Sequence, residues 1–221
     1  MKTCYGLVGA GGYGREVMPM LKQLLKDEIL SSHAELFFVV ENEVLDTLHS
    51  NINGYPVVSM SDFIKLDSNK YFNIAIGDSK VRERIANDCI SSNMTPFSIT
   101  SSNSVILDEN TIGKGCILSP FATITSNVKI GDFFHANLYS YVGHDCVIGD
   151  YVTFAPNVHC NGYIVIEDHA YIGTGAIIKP GTREKPTIIG RNSIVGMGAI
   201  VNKNVPPFTT VFGNPAQQIK K

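Results

Sequence analysis

From Ile106 onward an aliphatic residue recurs at every sixth position, often with glycine directly after it, as in Ile112-Gly113, Ile130-Gly131, Val142-Gly143, Ile148-Gly149 and Ile172-Gly173. The series is Ile106, Ile112, Leu118, Ile124, Ile130, Ala136, Val142, Ile148, Phe154, Cys160, Ile166, Ile172 and Ile178, and it resumes at Ile189, Val195 and Val201. Thirteen of these sixteen positions are Ile, Leu or Val, well above average composition, so the period belongs to the fold. Four positions after many of them stands a small residue, among them Cys116, Ala122, Ser140, Cys146, Ala170, Ala176, Ser193 and Ala199. Large and small side chains alternating at a fixed step suit a narrow interior. Six-residue steps precess around a 3.6-residue helical turn, and Gly and Asn interrupt every run that would make a flat strand. A solenoid of short strands joined by corners remains.

This pattern resembles the hexapeptide-repeat family, whose left-handed parallel β-helix closes one coil with three hexads, or 18 residues. The handedness is an implication of that resemblance. Between Ile178 and Ile189 lie five residues more than one hexad, around Pro180-Gly181-Thr182-Arg183-Glu184-Lys185-Pro186. Such an insertion is expected to protrude, either as a tolerated surface loop or as a groove wall whose Arg183 and Lys185 are available to a phosphate.

The first ninety-odd residues carry a different pattern. Cys4–Val8 reads as a buried strand, and Gly9-Ala10-Gly11-Gly12-Tyr13-Gly14 follows at once. An amphipathic helical run from Tyr13 to Lys26 comes next, with Pro19 expected to bend it, and then a second strand, Leu36–Val40. Strand, GxGxxG and helix in this order bring backbone amides and a helix N-terminus against a phosphate, making Gly9, Gly11, Gly12, Tyr13 and Gly14 candidate substrate contacts. Glu41 stands where a ribose-binding acid is expected, at the end of the second strand. A third strand, Tyr71–Ile76, ends in Gly77-Asp78, with Arg82 in the helix that follows. Ligands bind beyond the C-terminal ends of open parallel sheets, so these residues converge on one crevice. Asp78 is equally suited to capping the next helix, and Arg82 to solvent. The α/β part ends near Asn93, with room for one mononucleotide-binding half. The expected organisation is therefore a Rossmann-like α/β half-domain over residues 1–93 and a β-helix over 94–221. The missing second half argues against a nicotinamide oxidoreductase.

A net charge of −2, with no basic run outside Lys220-Lys221, makes nucleic acid and anionic membranes poor partners. The apolar start is too short for a signal peptide and no stretch reaches membrane-spanning length, so a cytoplasmic protein is expected. Five cysteines without a CxxC pair give neither a zinc site nor a disulfide framework, and no metal is expected. Cys116, Cys146 and Cys160 fall on inward positions of the repeat.

No Ser-His-Asp order, HExxH or carboxylate pair appears, which leaves the histidines. His144 stands two positions after Val142, near a corner, with Asp145 directly after it. An imidazole near neutrality held by a carboxylate is a suitable general base. One coil on is Gly162, where a missing side chain lets a ligand approach and leaves an N–H to polarise a carbonyl. His135 and His159 sit at another phase of the repeat, suited to surface or interface packing, and His169 is expected in solvent.

Four elements in order, Gly9-Ala10-Gly11-Gly12, Ala75-Ile76-Gly77-Asp78, Val142-Gly143-His144-Asp145 and Val211-Phe212-Gly213-Asn214-Pro215-Ala216, make the whole chain similar to the sugar O-acyltransferase and sialic-acid O-acetyltransferase (NeuD/PglD-like) family. The branch it resembles most comprises the N-acetyltransferases of nucleotide-linked 4-amino-4,6-dideoxy sugars. The resemblance implies His144 as catalytic base, Asp145 as its orienting acid and Asn137 as an active-site asparagine. It implies further that Gly162 meets the thioester carbonyl and that Thr174 and Gly196 line the pantetheine groove. Where many members have a second histidine beside the thioester, nine residues after the base, this chain has Thr153. The implied chemistry is transfer from acetyl-CoA to the 4-amino group of a UDP- or dTDP-linked sugar by a homotrimer, with sites between subunits, for surface-glycan synthesis. The alternatives are O-acetylation of a sugar or sialic acid, which needs the same base, and a non-catalytic scaffold.

Overall fold

The computed structural model describes residues 2–219; Lys220 and Lys221, the C-terminal basic pair, lie outside the described residues. Two compact units divide the chain, residues 1–99 and 100–221. The first is built from β1 (Thr3–Val8), α1 (Gly12–Leu24), α2 (Lys26–Leu30), β2 (Ala34–Val40), α3 (Asn42–Leu45), β3 (Asn51–Ile52), β4 (Tyr55–Ser59), α4 (Met60–Lys65), β5 (Asn69–Ile74), α5 (Ser79–Ser91) and β6 (Thr95–Pro96). Its sheet has the order β3-β4-β2-β1-β5-β6, and β1 lies parallel between β2 and β5, with Val8 between Val39 and Ile74. Leu7, Phe38, Phe72 and Ile74 are wholly buried, as are Val17, Leu21 and Ala86 from the helices. Each of the Val, Leu, Ile and Phe side chains among them contributes roughly 1.5–3 kcal/mol by leaving water. The chain leaves β1 toward β2 on one side and returns to β5 on the other, which opens a crevice beyond the C-terminal ends of β1 and β5.

Three details differ from the sequence reading. Helix α1 continues through Pro19 and stops at Leu24. Pro19 is exposed, so the carbonyl that loses its N–H partner lies on the solvated side, where water can satisfy it. Strand β5 ends at Ile74, leaving Ala75 and Ile76 to lead into the loop. An antiparallel β3–β4 hairpin turns at Asn53-Gly54, both residues having positive φ (52° and 87°), the geometry that Asn-Gly favours.

The second unit is a parallel β-helix of two- and three-residue strands on three faces. Tyr141 pairs with Thr123 on one side and His159 on the other, an 18-residue register, and Lys129, Val147 and Val165 are related likewise on another face. After the insertion the register lengthens by five: Ile177 pairs with Ile200 and Ile164 with Thr187. Inward positions from Leu118 to Val201 are buried in a single core that also contains Cys116, Cys146 and Cys160. Ile106, read as inward, is exposed: it lies in the first coil, where the stack begins.

The corners explain the non-aliphatic part of the repeat. Phe121, Phe133, Tyr139, Asp145, Tyr151, Asn157, Tyr163 and His169 all take a left-handed backbone. Aromatic corners stack on the next coil, as in Phe133–Tyr151 and Tyr151–His169, at 5.3 and 5.2 Å between ring centroids. His169 is thus packed on Tyr151 and only partly accessible. The same corner is tied by carboxylates, Asp150 accepting the N–H of Asp132 and Asp168 that of Asp150.

Candidate active site

His144 and Asp145 occupy the corner between the face carrying Tyr141–Val142 and the face carrying Val147–Ile148. His144 Nδ1 lies 2.8 Å from Asp145 Oδ2. A carboxylate only accepts, so in the neutral imidazole Nδ1 carries the proton and Nε2 keeps its lone pair, the tautomer a general base needs. The ring is set edge-on against Tyr163 at 5.1 Å, and it remains more than half exposed. The left-handed backbone at Asp145, with its N–H on Ser126 O, swings the carboxylate back onto the imidazole.

The expected stacking of His144 on Gly162 is present. A Cβ on Gly162 would lie 2.5 Å from His144 Nε2 and 2.6 Å from Cε1. Among the described residues no acceptor takes the Gly162 N–H. A lone-pair nitrogen and an unbonded amide therefore sit side by side. Beneath them Asn161 is anchored at both ends, its Oδ1 accepting from Tyr141 OH (2.8 Å) and its Nδ2 donating to Ile178 O (2.7 Å). Burial raises the Tyr141 phenol and holds the Cys160 thiol below it well above the usual range.

The other candidates in this unit lie elsewhere. Asn137, Thr174 and Gly196 follow the strands His135–Ala136, Tyr171–Ile172 and Ile194–Val195, on the corner at the opposite edge of the Tyr141 face. A Cβ on Gly196 would lie 2.0 Å from the Phe212 ring, so its open side is filled by the chain's own C-terminal segment. Thr153 is buried on the third face, paired between His135 and Tyr171, away from the His144 corner. His135, read as a surface or interface residue, is likewise fully buried. His159 is partly exposed, with its ring against Tyr141.

A cavity of about 610 Å³ opens beside Asp145, lined by Asn127, Lys129, Tyr163, Val165, Thr182, Arg183 and Pro186. The inserted loop is one of its walls, pinned where Gly181 N–H meets Gly162 O and where Thr182 and Lys185 exchange backbone bonds. Lys129 and Arg183 have no carboxylate partner among the described residues.

In the N-terminal unit the glycines of the turn have separate duties. A Cβ on Gly14 would lie 1.9 Å from Gly9 O, so this glycine seats α1 against the end of β1, and Gly9 has φ +104°. Gly11, Gly12 and Gly77 face open space. Gly11 caps α1 without a side-chain acceptor, leaving the first helical amides to an outside anion. Glu41, just after β2, is bound to Arg84 Nη1 at 2.9 Å, and that carboxylate raises the Arg84 pKa. Asp78 is the cap of α5, its Oδ1 accepting from Lys80 and Val81 N–H. Arg82 is not solvated: it is fully buried, and its Nη1 donates to Ile76 O and Gly77 O. It shapes the loop after β5 from within. Tyr13 is partly buried in the first turn of α1.

Among the described residues no group of three or more His, Cys, Asp or Glu is placed to hold a metal, and no helix is long and apolar enough to cross a membrane.

Residues 6–89 match the family model described as the PglD N-terminal domain. Over 218 residues, covering 98% of this chain and 96% of the relative, the sequence is 50% identical to a GDP-perosamine N-acetyltransferase of Escherichia coli O157:H7. WeeI from Acinetobacter baumannii AYE superposes with a TM-score of 0.91 at 50% identity, covering 99% of this chain and 100% of that one. PerB from Caulobacter crescentus, solved with CoA and GDP-perosamine, shares the fold at a TM-score of 0.83 and 21% identity, covering 100% and 98% of the two chains. The β-helix is accordingly the left-handed one of hexapeptide-repeat acyltransferases. With a relative half identical from end to end, the chain belongs to the NeuD/PglD-like family of sugar acyltransferases and is an acetyltransferase.

Proposed function

We propose that this acetyltransferase moves the acetyl group of acetyl-CoA to the 4-amino group of a GDP-linked 4-amino-4,6-dideoxy sugar. The observation that carries the reading is the His144–Gly162 pair: an imidazole nitrogen freed to accept a proton, beside an N–H free to meet an oxyanion. The neutral amine attacks the thioester carbonyl, the new C–N bond forms, and the oxygen's developing charge falls to the Gly162 amide. His144 Nε2 takes the amine's proton, and Asp145 steadies the imidazolium. The C–S bond breaks as the tetrahedral intermediate collapses, and the proton passes from His144 to the departing CoA sulfur. No covalent bond to the enzyme is formed.

The nucleotide lies in the N-terminal unit, its phosphates on the open Gly11-Gly12 amides of α1, within reach of Gly77. Glu41, tied to Arg84, stands beside the ribose, and Arg82 acts through the shape of the Gly77-Asp78 loop. Guanine replaces the UDP or dTDP expected from sequence because the 50% identical relative is named for a GDP sugar. Lys129 and Arg183 give the cavity beside Asp145 a positively charged wall.

The placement of the candidates supports the expected self-association. His144, Asp145 and Gly162 stand on one corner of the prism, and Asn137, Thr174 and Gly196 on another. A threefold assembly would set one corner of each chain against the other corner of its neighbour, so that both meet one substrate. Acetyl-CoA then lies between adjacent solenoids. The five free, buried cysteines accord with a reducing, cytoplasmic setting.

The test is CoA-thiol release from acetyl-CoA with GDP-, UDP- and dTDP-linked 4-amino-4,6-dideoxy sugars and their 4-hydroxy counterparts. Turnover confined to the GDP amino sugar is the expected result. Turnover with hydroxyl acceptors alone identifies an O-acetyltransferase and overturns the reading.

A further inference from the structure

The mechanism above uses the Gly162 N–H but none of the solenoid's buried thiols. One of them, Cys146, makes the short bond to the peptide that carries this amide, with Cys160 Sγ 4.0 Å from the same carbonyl. Cys146 Sγ donates to Asn161 O at 2.9 Å, and the same sulfur accepts the Ile164 N–H at 3.4 Å. The Asn161 carbonyl and the Gly162 N–H belong to one planar, trans peptide unit, in which C=O and N–H point in opposite directions. A carbonyl drawn onto an interior thiol therefore turns the N–H outward, to the side where the His144 ring lies.

The same peptide is fixed from below. A Cβ on Gly143 would lie 2.6 Å from Asn161 C and 2.7 Å from Gly162 N, so the absence of a side chain at 143 admits the peptide plane. Resting on Gly143, tied through its carbonyl to Cys146, and flanked by the doubly anchored Asn161 side chain, the plane has one orientation.

The β-helix repeats this device and thereby supplies its own control. Ser140 Oγ donates to Ala155 O (2.9 Å) and accepts the Val158 N–H (3.1 Å), at the same sequence separations as the two Cys146 bonds. Cys116 Sγ makes the corresponding bond to Gly131 O (3.4 Å). A hydroxyl in this slot therefore makes the bonds that a thiol makes. Other corners carry Ala122, Val152, Val158 and Ala176 at matching positions, all buried, so small apolar side chains are accommodated as well. Only at Cys146 does the tethered peptide carry the amide beside the catalytic pair.

We infer that Cys146 is a positioning residue for acetyl transfer, its thiol holding the Asn161–Gly162 peptide so that the Gly162 N–H faces the thioester oxygen. This rests on the function proposed above.

The experiment compares Cys146→Ser, Cys146→Ala and Cys146→Val in the full-length protein. Steady-state kinetics are read for both substrates, with thermal midpoint and CoA binding by calorimetry alongside. Valine fills the slot but cannot donate. It should lower kcat about five- to tenfold, the scale of one oriented hydrogen bond, while KM for the sugar nucleotide and affinity for CoA stay within about twofold. Alanine should do the same, and serine should return kcat to the wild-type range. The inference is overturned if the valine and alanine variants turn over like wild type, or if serine is as slow as they are. It is equally overturned if kcat losses track the thermal midpoint, which would make packing the cause. A wild-type protein inactive toward every acceptor would instead sink the functional reading, and this inference with it.

Discussion

The imidazole of His144 occupies the space that a side chain on Gly162 would need, with Nε2 2.5 Å from the site of that missing Cβ. The proposed base and oxyanion donor are thus adjacent because of an 18-residue register, and a methyl group added at 162 must push the ring away. Gly162→Ala should reduce kcat about a hundredfold, the scale of an ångström-sized misplacement of a reacting group, without changing the thermal midpoint by more than a few degrees. Steady-state kinetics beside a melting curve checks this; unchanged turnover would show that the ring is not used in this position.

Removing the proposed base separates chemistry from binding. His144→Ala should lose roughly two to four orders of magnitude in kcat, and calorimetric affinity for the sugar nucleotide should hold. Asp145→Asn keeps a residue tolerant of the left-handed backbone but loses the carboxylate that places the proton on Nδ1. Its kcat should fall about ten- to a hundredfold. A loss of nucleotide affinity equal to the loss of turnover would move His144 from catalyst to ligand contact.

The glycine turn offers a contrast between structure and binding. At Gly14 an added Cβ would collide with Gly9 O at 1.9 Å, whereas at Gly11 it would meet nothing within 4 Å. Gly14→Ala should therefore destabilise the N-terminal unit by several kcal/mol, read as a lower denaturant midpoint. Gly11→Ala should fold like wild type yet raise KM for the sugar nucleotide, because the methyl group enters the space left for phosphate. Equal stability losses in both would mean that the open side of Gly11 serves packing.

Alkaline pH should weaken the N-terminal unit through Cys89. Burial first, and Asp88 next, push this thiol up to about 12 in the folded chain, against an ordinary value near 9. The folded state therefore favours the neutral thiol. Its stabilising contribution is complete below about pH 8.5 and is lost as pH rises toward 12, because the unfolded chain releases the proton first. Urea midpoints measured between pH 8 and 10.5 should fall more steeply for wild type than for Cys89→Ala. Parallel slopes would remove Cys89 as the cause.

What the sequence determined by itself is the part of this protein that repeats or is local. A six-residue period, interrupted once by five residues, determined a solenoid of stacked coils and the site of the inserted loop, and the resemblance to hexapeptide-repeat proteins supplied the 18-residue coil, since each coil is stabilised by its nearest neighbours. The order of strand, GxGxxG and helix determined the nucleotide-type turn, because it depends on glycine conformations and on one helix N-terminus. The meeting of His144 with Gly162 followed from the period in the same way.

Side-chain commitments and separations across the prism were decided only in three dimensions. Arg82 looked like a solvated or ligand-facing cation but is enclosed, and its guanidinium donates to two loop carbonyls that no local pattern points to. Asp78 turned out to serve the amides of its own helix. The resemblance implied Asn137 at the active site and drew attention to Thr153, where many family members have a second histidine; within one chain each lies elsewhere on the prism than His144, because six residues of a β-helix turn the chain onto another face. The tie from Cys146 to Asn161 spans fifteen residues, and packing alone brings it together: sequence marks Cys146 as an inward residue, and only the folded coil shows which carbonyl it meets.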